Sequence, residues 1–196
     1  MKALVLVDIQ NDFLLGGSLE VPNGNEIINH INSIFKNYSI VVATKDWHPK
    51  NHISFASNHK NKNIGEVIVV NNKNQVLWPD HCIENSYGSN FPNELNTHNI
   101  NKTFYKGVDS LIDSYSGFYD NGKVRSTGLS DFLKKENIKD VDIVGLATDY
   151  CVKYTAIDSY NDGFKTNVIK SCVRGISDKT IKLALKEMKE IGINII

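Results

Sequence analysis

Three side chains lying far apart along the chain, Asp8, Lys106 and Cys151, have the types needed for nucleophilic attack on a carbonyl carbon. Cys151 follows an apolar run and a short turn, and a helical pattern (Val152, Thr155, Ala156, Ser159) begins around it. Backbone N–H groups at a helix N-terminus favour a thiolate and can hold an oxyanion on the carbonyl under attack. Asp8 closes the apolar run LVLV, which would place it at the rim of a sheet, where a general base is needed. Lys106 would hold Asp8 ionised and favour the thiolate through the same field. Taken singly, a cysteine is more often a buried structural residue, and Cys172 receives that reading. Asp8 alone is a strand-end cap and Lys106 a solvated lysine. Their coincidence is what argues for catalysis.

A second constellation has the chemistry of a metal site. Asp46 and His48 stand two residues apart just beyond an apolar run, so both can reach one cation, and His81 lies in the turn-like segment WPDHC. Two histidines and one aspartate leave coordination positions open, as a catalytic ion requires. His52 follows four positions after His48. The spacing has no zinc-finger periodicity, and each histidine taken alone could equally sit at the surface or in a hydrogen bond.

The elements that must position these groups are legible as short apolar, β-branched runs at residues 3–7, 40–43, 67–70, 141–146 and 166–169, which read as buried strands. Amphipathic stretches separate several of them. Ile27, Ile31, Ile34 and Phe35 form one, and Ile181, Leu185 and Met188 form another with Leu183 and Ile191 alongside. Alternation of this kind predicts an α/β chain with a parallel sheet and helices on both faces. In such sheets ligands bind outside the carboxyl ends of the strands, where strand order reverses. Asp8, the stretch from Lys45 to His48, Lys106 and the stretch from Ala147 to Cys151 all follow strand ends. Segments 58–63 and 71–74, rich in Asn and Lys, read as surface loops.

The chain has 196 residues, the size of one domain able to bury about 70% of its unfolded surface. Its 22 basic and 22 acidic residues balance, which gives no electrostatic reason to bind nucleic acid or an anionic membrane. Three cysteines are too few and odd for a secreted disulfide framework. The start MKALVLVDIQNDF lacks the regions of a signal peptide, and no apolar run approaches the roughly 20 residues of a membrane span. A cytoplasmic setting is expected.

Six segments in order, VDIQNDF (7–13), TKDWHPKNHISFA (44–56), LWPDHC (77–82), FYKG (104–107), YSGF (115–118) and GLATDYCV (145–152), resemble the isochorismatase-like cysteine hydrolases, and within them the nicotinamidases. The resemblance covers almost the whole chain and implies a single domain over 1–196 with a Rossmann-like parallel sheet. It implies Asp8, Lys106 and Cys151 as the catalytic triad and Asp46, His48 and His81 as ligands of one divalent ion, zinc first, with iron or manganese as alternatives. His52 stays open between a fourth ligand and a group behind the ligands. A cis peptide before Ala147 would turn its N–H, beside that of Cys151, toward the substrate oxygen. Phe13, Trp78 and Tyr115 would wall the substrate ring, although aromatic side chains are otherwise read as core.

The implied reaction is hydrolysis of nicotinamide to nicotinic acid and ammonia through a cysteine thioester. The ion would bind the pyridine nitrogen, pyrazinamide-like analogues would serve as further substrates, and the cellular role would be NAD salvage. Association into a homo-oligomer is left open. The alternative is a related cysteine amidase acting on another small amide or an N-carbamoyl compound, relatives that generally lack the DxH and PDHC pair. A non-catalytic protein of this fold would be expected to have lost one of the three triad residues, and all three are present.

Overall fold

The structure, a computed structural model, describes residues 1–70 and 72–196. Six strands form one wholly parallel sheet: β1 (Lys2–Val7), β2 (Ile40–Asp46), β5 (Lys102–Lys106), β6 (Asp140–Leu146), β7 (Lys165–Arg174) and β8 (Asn194–Ile195). Their order across the sheet is β5-β2-β1-β6-β7-β8. The chain builds outward from β1 through β2 to β5, then returns to the other side of β1 with β6. Strand order therefore reverses between β1 and β6, and the crevice beyond their carboxyl ends is where a ligand fits.

Alternation along β1 builds two cores. Ala3, Val5 and Val7 pack on one face with Leu129 and Leu133 of α2 (Leu129–Lys135), Ala156 of α3 (Lys153–Asn161) and Met188 of α4 (Asp178–Ile191). Leu4 and Leu6 pack on the other with Ile27, Ile28 and Ile31 of α1 (Ile27–Ile34). Helices thus cover both faces, as the hydrophobic spacing predicts. α4 begins at Ser177, whose hydroxyl accepts the Thr180 N–H at 3.3 Å, and stops at Gly192 in the left-handed region. Leu183, expected beside its apolar stripe, faces solvent instead.

The expectation for residues 67–70 is corrected. They form β3 (Val67–Val70), which pairs antiparallel with β4 (Lys73–Val76) as a separate hairpin, with Val67 and Val69 exposed. A β-branched run gives extended backbone wherever it lies, and only a packing partner makes it buried. Part of the expected loop at 71–74 is accordingly strand: Lys73 and Asn74 belong to β4, whereas Asn71 lies outside the described residues. Residues 58–63 are surface turns. Among the described residues no helix is long and apolar enough to cross a membrane.

Candidate active site and metal centre

The reactive side chains meet at the reversal point. Asp8 follows β1 directly in a left-handed conformation with φ 48°. Asp46 and Lys106 are the last residues of β2 and β5. Beyond β6 the Leu146–Ala147 peptide is cis, and a widened irregular turn, Thr148–Val152, carries Cys151 into α3. Gly145 permits this ending: its φ is +119°, and a β-carbon there would stand 2.1 Å from the Val7 carbonyl oxygen.

Lys106 is the hub. Its ammonium lies 2.9 Å from Asp8 Oδ2, 2.5 Å from Asp46 Oδ1, 2.9 Å from the Ser114 carbonyl oxygen and 3.4 Å from Cys151 Sγ. The Thr44 hydroxyl donates to Asp8 Oδ1 at 2.6 Å. The Cys151 sulfur and one carboxylate oxygen each of Asp8 and Asp46 all lie within 4.8 Å of one another, inside direct or water-bridged proton transfer. Lys106 thus joins Asp8 and Cys151, so the structure brings the three residues expected to form a triad together.

Burial works against the ionisation expected of Cys151 and Asp8, and Lys106 works for it. Burial pushes the Cys151 thiol well above its ordinary range; Lys106 opposes that shift, and Asp8 and Asp46 add to it. Burial likewise raises Asp8 against the pull of Lys106. Lys106 itself stays a cation, because Asp46 and Asp8 outweigh the burial that would discharge it. Burial and the two carboxylates therefore oppose a thiolate at Cys151, and Lys106 favours it. A helix terminus and one lysine do not offset complete desolvation plus two carboxylates.

The expected metal ligands also converge. His48 Nε2 is 3.6 Å from Asp46 Oδ1, and His81 Nε2 is 3.8 Å from Asp46 Oδ2. Donors around a tetrahedral ion with bonds near 2.0–2.1 Å stand about 3.3–3.5 Å apart, and one donor atom each of Asp46, His48 and His81 lies within 4.8 Å of the others, so the donor set suits a divalent cation. His48 Nδ1 donates to the Gly107 carbonyl at 2.9 Å and His81 Nδ1 to the Pro79 carbonyl at 2.8 Å, which directs both Nε2 atoms inward toward Asp46. Burial and the neighbouring His48 push His81 down to about 4, whereas Asp46 raises His48 despite its burial. His52 is buried behind them, its ring centroid 4.1 Å from that of His48.

A pocket opens onto Cys151, Asp46 and His81, walled by Phe13, Trp78 and Tyr115 as expected, with Ala147 at its floor. The indole N–H of Trp78 donates to the Tyr115 hydroxyl at 3.3 Å, which locks two walls together. Of the expected site residues, Phe13, Asp46, Trp78, His81, Tyr115, Ala147 and Cys151 line this pocket, while Asp8, His48, His52 and Lys106 are buried without lining it.

A family model for the isochorismatase domain matches residues 2–196. The chain belongs to the isochorismatase family. Among relatives, the nicotinamidase of Escherichia coli is 42% identical over 182 residues, covering 90% of this chain and 84% of that one. A solved Acinetobacter baumanii nicotinamidase and pyrazinamidase superimposes with TM-score 0.97 at 42% identity, covering 100% and 95% of the two chains. A pyrazinamidase of Pyrococcus horikoshii, solved in complex with zinc, superimposes with TM-score 0.80 at 33% identity over 100% and 98%.

The family motifs contain further residues that residue-by-residue reading passes over. The Gln10 amide brackets the Asp46 backbone, donating to its carbonyl and accepting its N–H at 2.8 Å each, and it also donates to the Ser89 carbonyl at 3.0 Å. Asp12 accepts the Cys82 N–H at 2.7 Å and so steadies the segment bearing His81. Both lie in VDIQNDF, and that clustering is the one signal the sequence offers for them. Leu19, Val21, Asp113, Ser114, Tyr150 and Ile176 complete the pocket lining, and nothing in their local sequence singles them out.

Proposed function

We propose that this protein is a nicotinamidase, hydrolysing nicotinamide to nicotinic acid and ammonia. The observation that carries the reading is the meeting of Cys151, Asp8 and Lys106 beside the Asp46, His48 and His81 donors, with Cys151, Asp46 and His81 reaching one aromatic-walled pocket, in a chain 42% identical to the E. coli nicotinamidase. Pyrazinamide-like analogues are expected substrates on the same grounds. A cysteine amidase for another small amide would not need inward-facing imidazoles beside the nucleophile.

In this reading Asp46, His48 and His81 hold one divalent ion, zinc first by the P. horikoshii example. The ion would supply Lewis-acid attraction for the pyridine nitrogen and so fix the ring. Phe13, Trp78 and Tyr115 close on the ring faces and exclude water. As the Cys151 sulfur adds to the carboxamide carbon, its proton passes to Asp8, and the oxyanion takes the N–H groups of Ala147 and Cys151. Asp8 returns that proton to nitrogen as the C–N bond breaks and ammonia leaves, giving the thioester. Water then adds to the thioester carbon, Asp8 accepting its proton and passing it to sulfur as the C–S bond breaks. Lys106 stays charged throughout and steadies Asp8 in each ionised interval. Three unpaired cysteines support a reducing, cytoplasmic setting, and the product fits NAD salvage.

The test is release of ammonia and nicotinate from nicotinamide by purified, zinc-loaded protein, with Cys151→Ala as control and hydroxylamine added to trap the thioester. Turnover by the parent, a hydroxamate product and none of either from Cys151→Ala are expected. Near-normal ammonia release by Cys151→Ala would overturn the covalent route, and turnover only on N-carbamoyl compounds would overturn the substrate.

A further inference from the structure

Asp149 stands two residues before the nucleophile in the run GLATDYCV, and the proposed reaction gives it no part. Its side chain is buried, and its carboxylate is bonded at the corner between β7 and α4. The Ile176 N–H donates to both carboxylate oxygens, at 3.1 and 3.3 Å, and the Thr180 hydroxyl donates to one of them. Gly175 admits the carboxylate: a β-carbon there would stand 2.7 Å from Asp149 Oδ1.

Both sides of this contact belong to the site. Ile176 lines the substrate pocket together with Ala147 and Cys151. The turn Thr148–Val152 carries Cys151, and its middle residue, Tyr150, leaves helical geometry with φ −126° and ψ −105°. Within it the Ala147 carbonyl accepts the N–H groups of Tyr150 and Val152 at 3.0 and 3.1 Å. An interrupted helical turn has fewer regular backbone partners than a continuous one, so contacts from outside must help to hold it. A carboxylate that accepts an amide N–H and a hydroxyl makes hydrogen bonds roughly twice as strong as neutral ones, and Asp149 is so placed.

We propose that Asp149 is a positioning residue for the reaction, its carboxylate clamping the Thr148–Val152 turn to the segment 175–180 and so fixing the Cys151 sulfur and the Ala147 and Cys151 N–H groups relative to the Ile176 wall. The inference rests on the hydrolysis and on the roles of Cys151 and Ala147 given in the proposed function. The ion donors come from other segments, Asp46 from the end of β2, His48 from just beyond it and His81 from the turn at 79–82. Loss of the clamp should therefore disturb attack on the carbonyl without releasing the ion. A misplacement of about 1 Å at a reacting atom can cost about 100-fold in rate.

The experiment compares zinc-loaded Asp149→Ala, Asp149→Asn and Thr180→Val with the parent by nicotinamide turnover, chelator competition and amide hydrogen exchange. In Asp149→Ala, kcat should fall about 100-fold with KM little changed, the pattern of an interaction felt in the transition state. Asp149→Asn keeps an acceptor for the Ile176 N–H and should recover most of that loss. Thr180→Val, a change at an exposed residue, should lower kcat more mildly. Zinc affinity should hold in all three. Exchange should quicken at Tyr150, Val152 and Ile176 in Asp149→Ala and stay slow along β1 and β2. An unchanged kcat in Asp149→Ala, a loss confined to KM, no recovery in Asp149→Asn, or zinc loss matching that of His48→Ala would overturn the proposal. Should Asp149→Ala fail to fold, Thr180→Val decides, and parental kcat and exchange in that variant would overturn it. A parent that released no ammonia from nicotinamide would overturn the proposed activity, while exchange at Tyr150, Val152 and Ile176 would still decide the clamp.

Discussion

Asp46 and Lys106 are register partners across the parallel β2–β5 pair, and their side chains meet at 2.5 Å at the carboxyl edge of the sheet. The pairing joins two halves of the site. Asp46 faces His48 and His81 with its carboxylate, and Lys106 faces Asp8 and Cys151 with its ammonium. One strand register therefore fixes the distance between the place where an ion would hold a ring and the sulfur that attacks its substituent.

Removing the hub should cost stability as well as turnover. Lys106→Met leaves the buried Asp8 and Asp46 without their cation, and a loss of about 3–5 kcal/mol is expected. Asp8 already titrates high in the fold, and without Lys106 it would titrate higher still. A carboxyl whose folded pKa exceeds its unfolded value opposes folding above that unfolded pKa, so the penalty should shrink as pH falls. Urea midpoints at neutral and mildly acidic pH check this; an equal penalty at both would show that charge is not its source.

Zinc uptake should release protons in a pH-dependent way. In the metal-free site His48 titrates above its ordinary value while His81 is already neutral, so the ion displaces a proton from His48 alone. Release of up to about one proton is expected near the ordinary histidine pKa of about 6.5, declining in alkali, with zinc affinity falling as the solution is acidified. Calorimetry in buffers of differing ionisation enthalpy measures it. Constant release across that range would contradict the assignment.

Gln10 should matter to the ion without touching it. Gln10→Leu strips both hydrogen bonds from the Asp46 backbone, and a loss of about 10–100-fold in zinc affinity is expected. The unpaired backbone groups should also cost about 1–3 kcal/mol. Chelator competition and denaturant titration read the two effects separately, and unchanged zinc affinity would return Gln10 to a purely structural part.

Gly107 should tolerate no side chain. Its φ is +64°, and a β-carbon would fall 2.2 Å from His48 Cε1, so Gly107→Ala must displace that ring. Gly163 has φ +90° with open space around it and isolates the backbone cost. Loss of zinc binding in Gly107→Ala alone is expected, with both variants losing stability; retained zinc in Gly107→Ala would mean the ring relaxes freely.

Much of this protein is legible in its sequence because the reactive residues stand at strand ends inside short, distinctive runs. Apolar periodicity alone places β1, β2, β6, α1 and α4, and the motifs alone single out Asp8, Asp46, His48, His81, Lys106 and Cys151. What local sequence could not carry was environment. The run at 67–70 has strand propensity wherever it packs, so only the absence of a covering layer made it an exposed hairpin. The raised acids of Asp8 and Cys151 follow from complete burial among each other's charges, which depends on four separate segments meeting. That His52 stacks against His48, with ring centroids 4.1 Å apart, is likewise decided by the folded turn and not by their spacing of four residues.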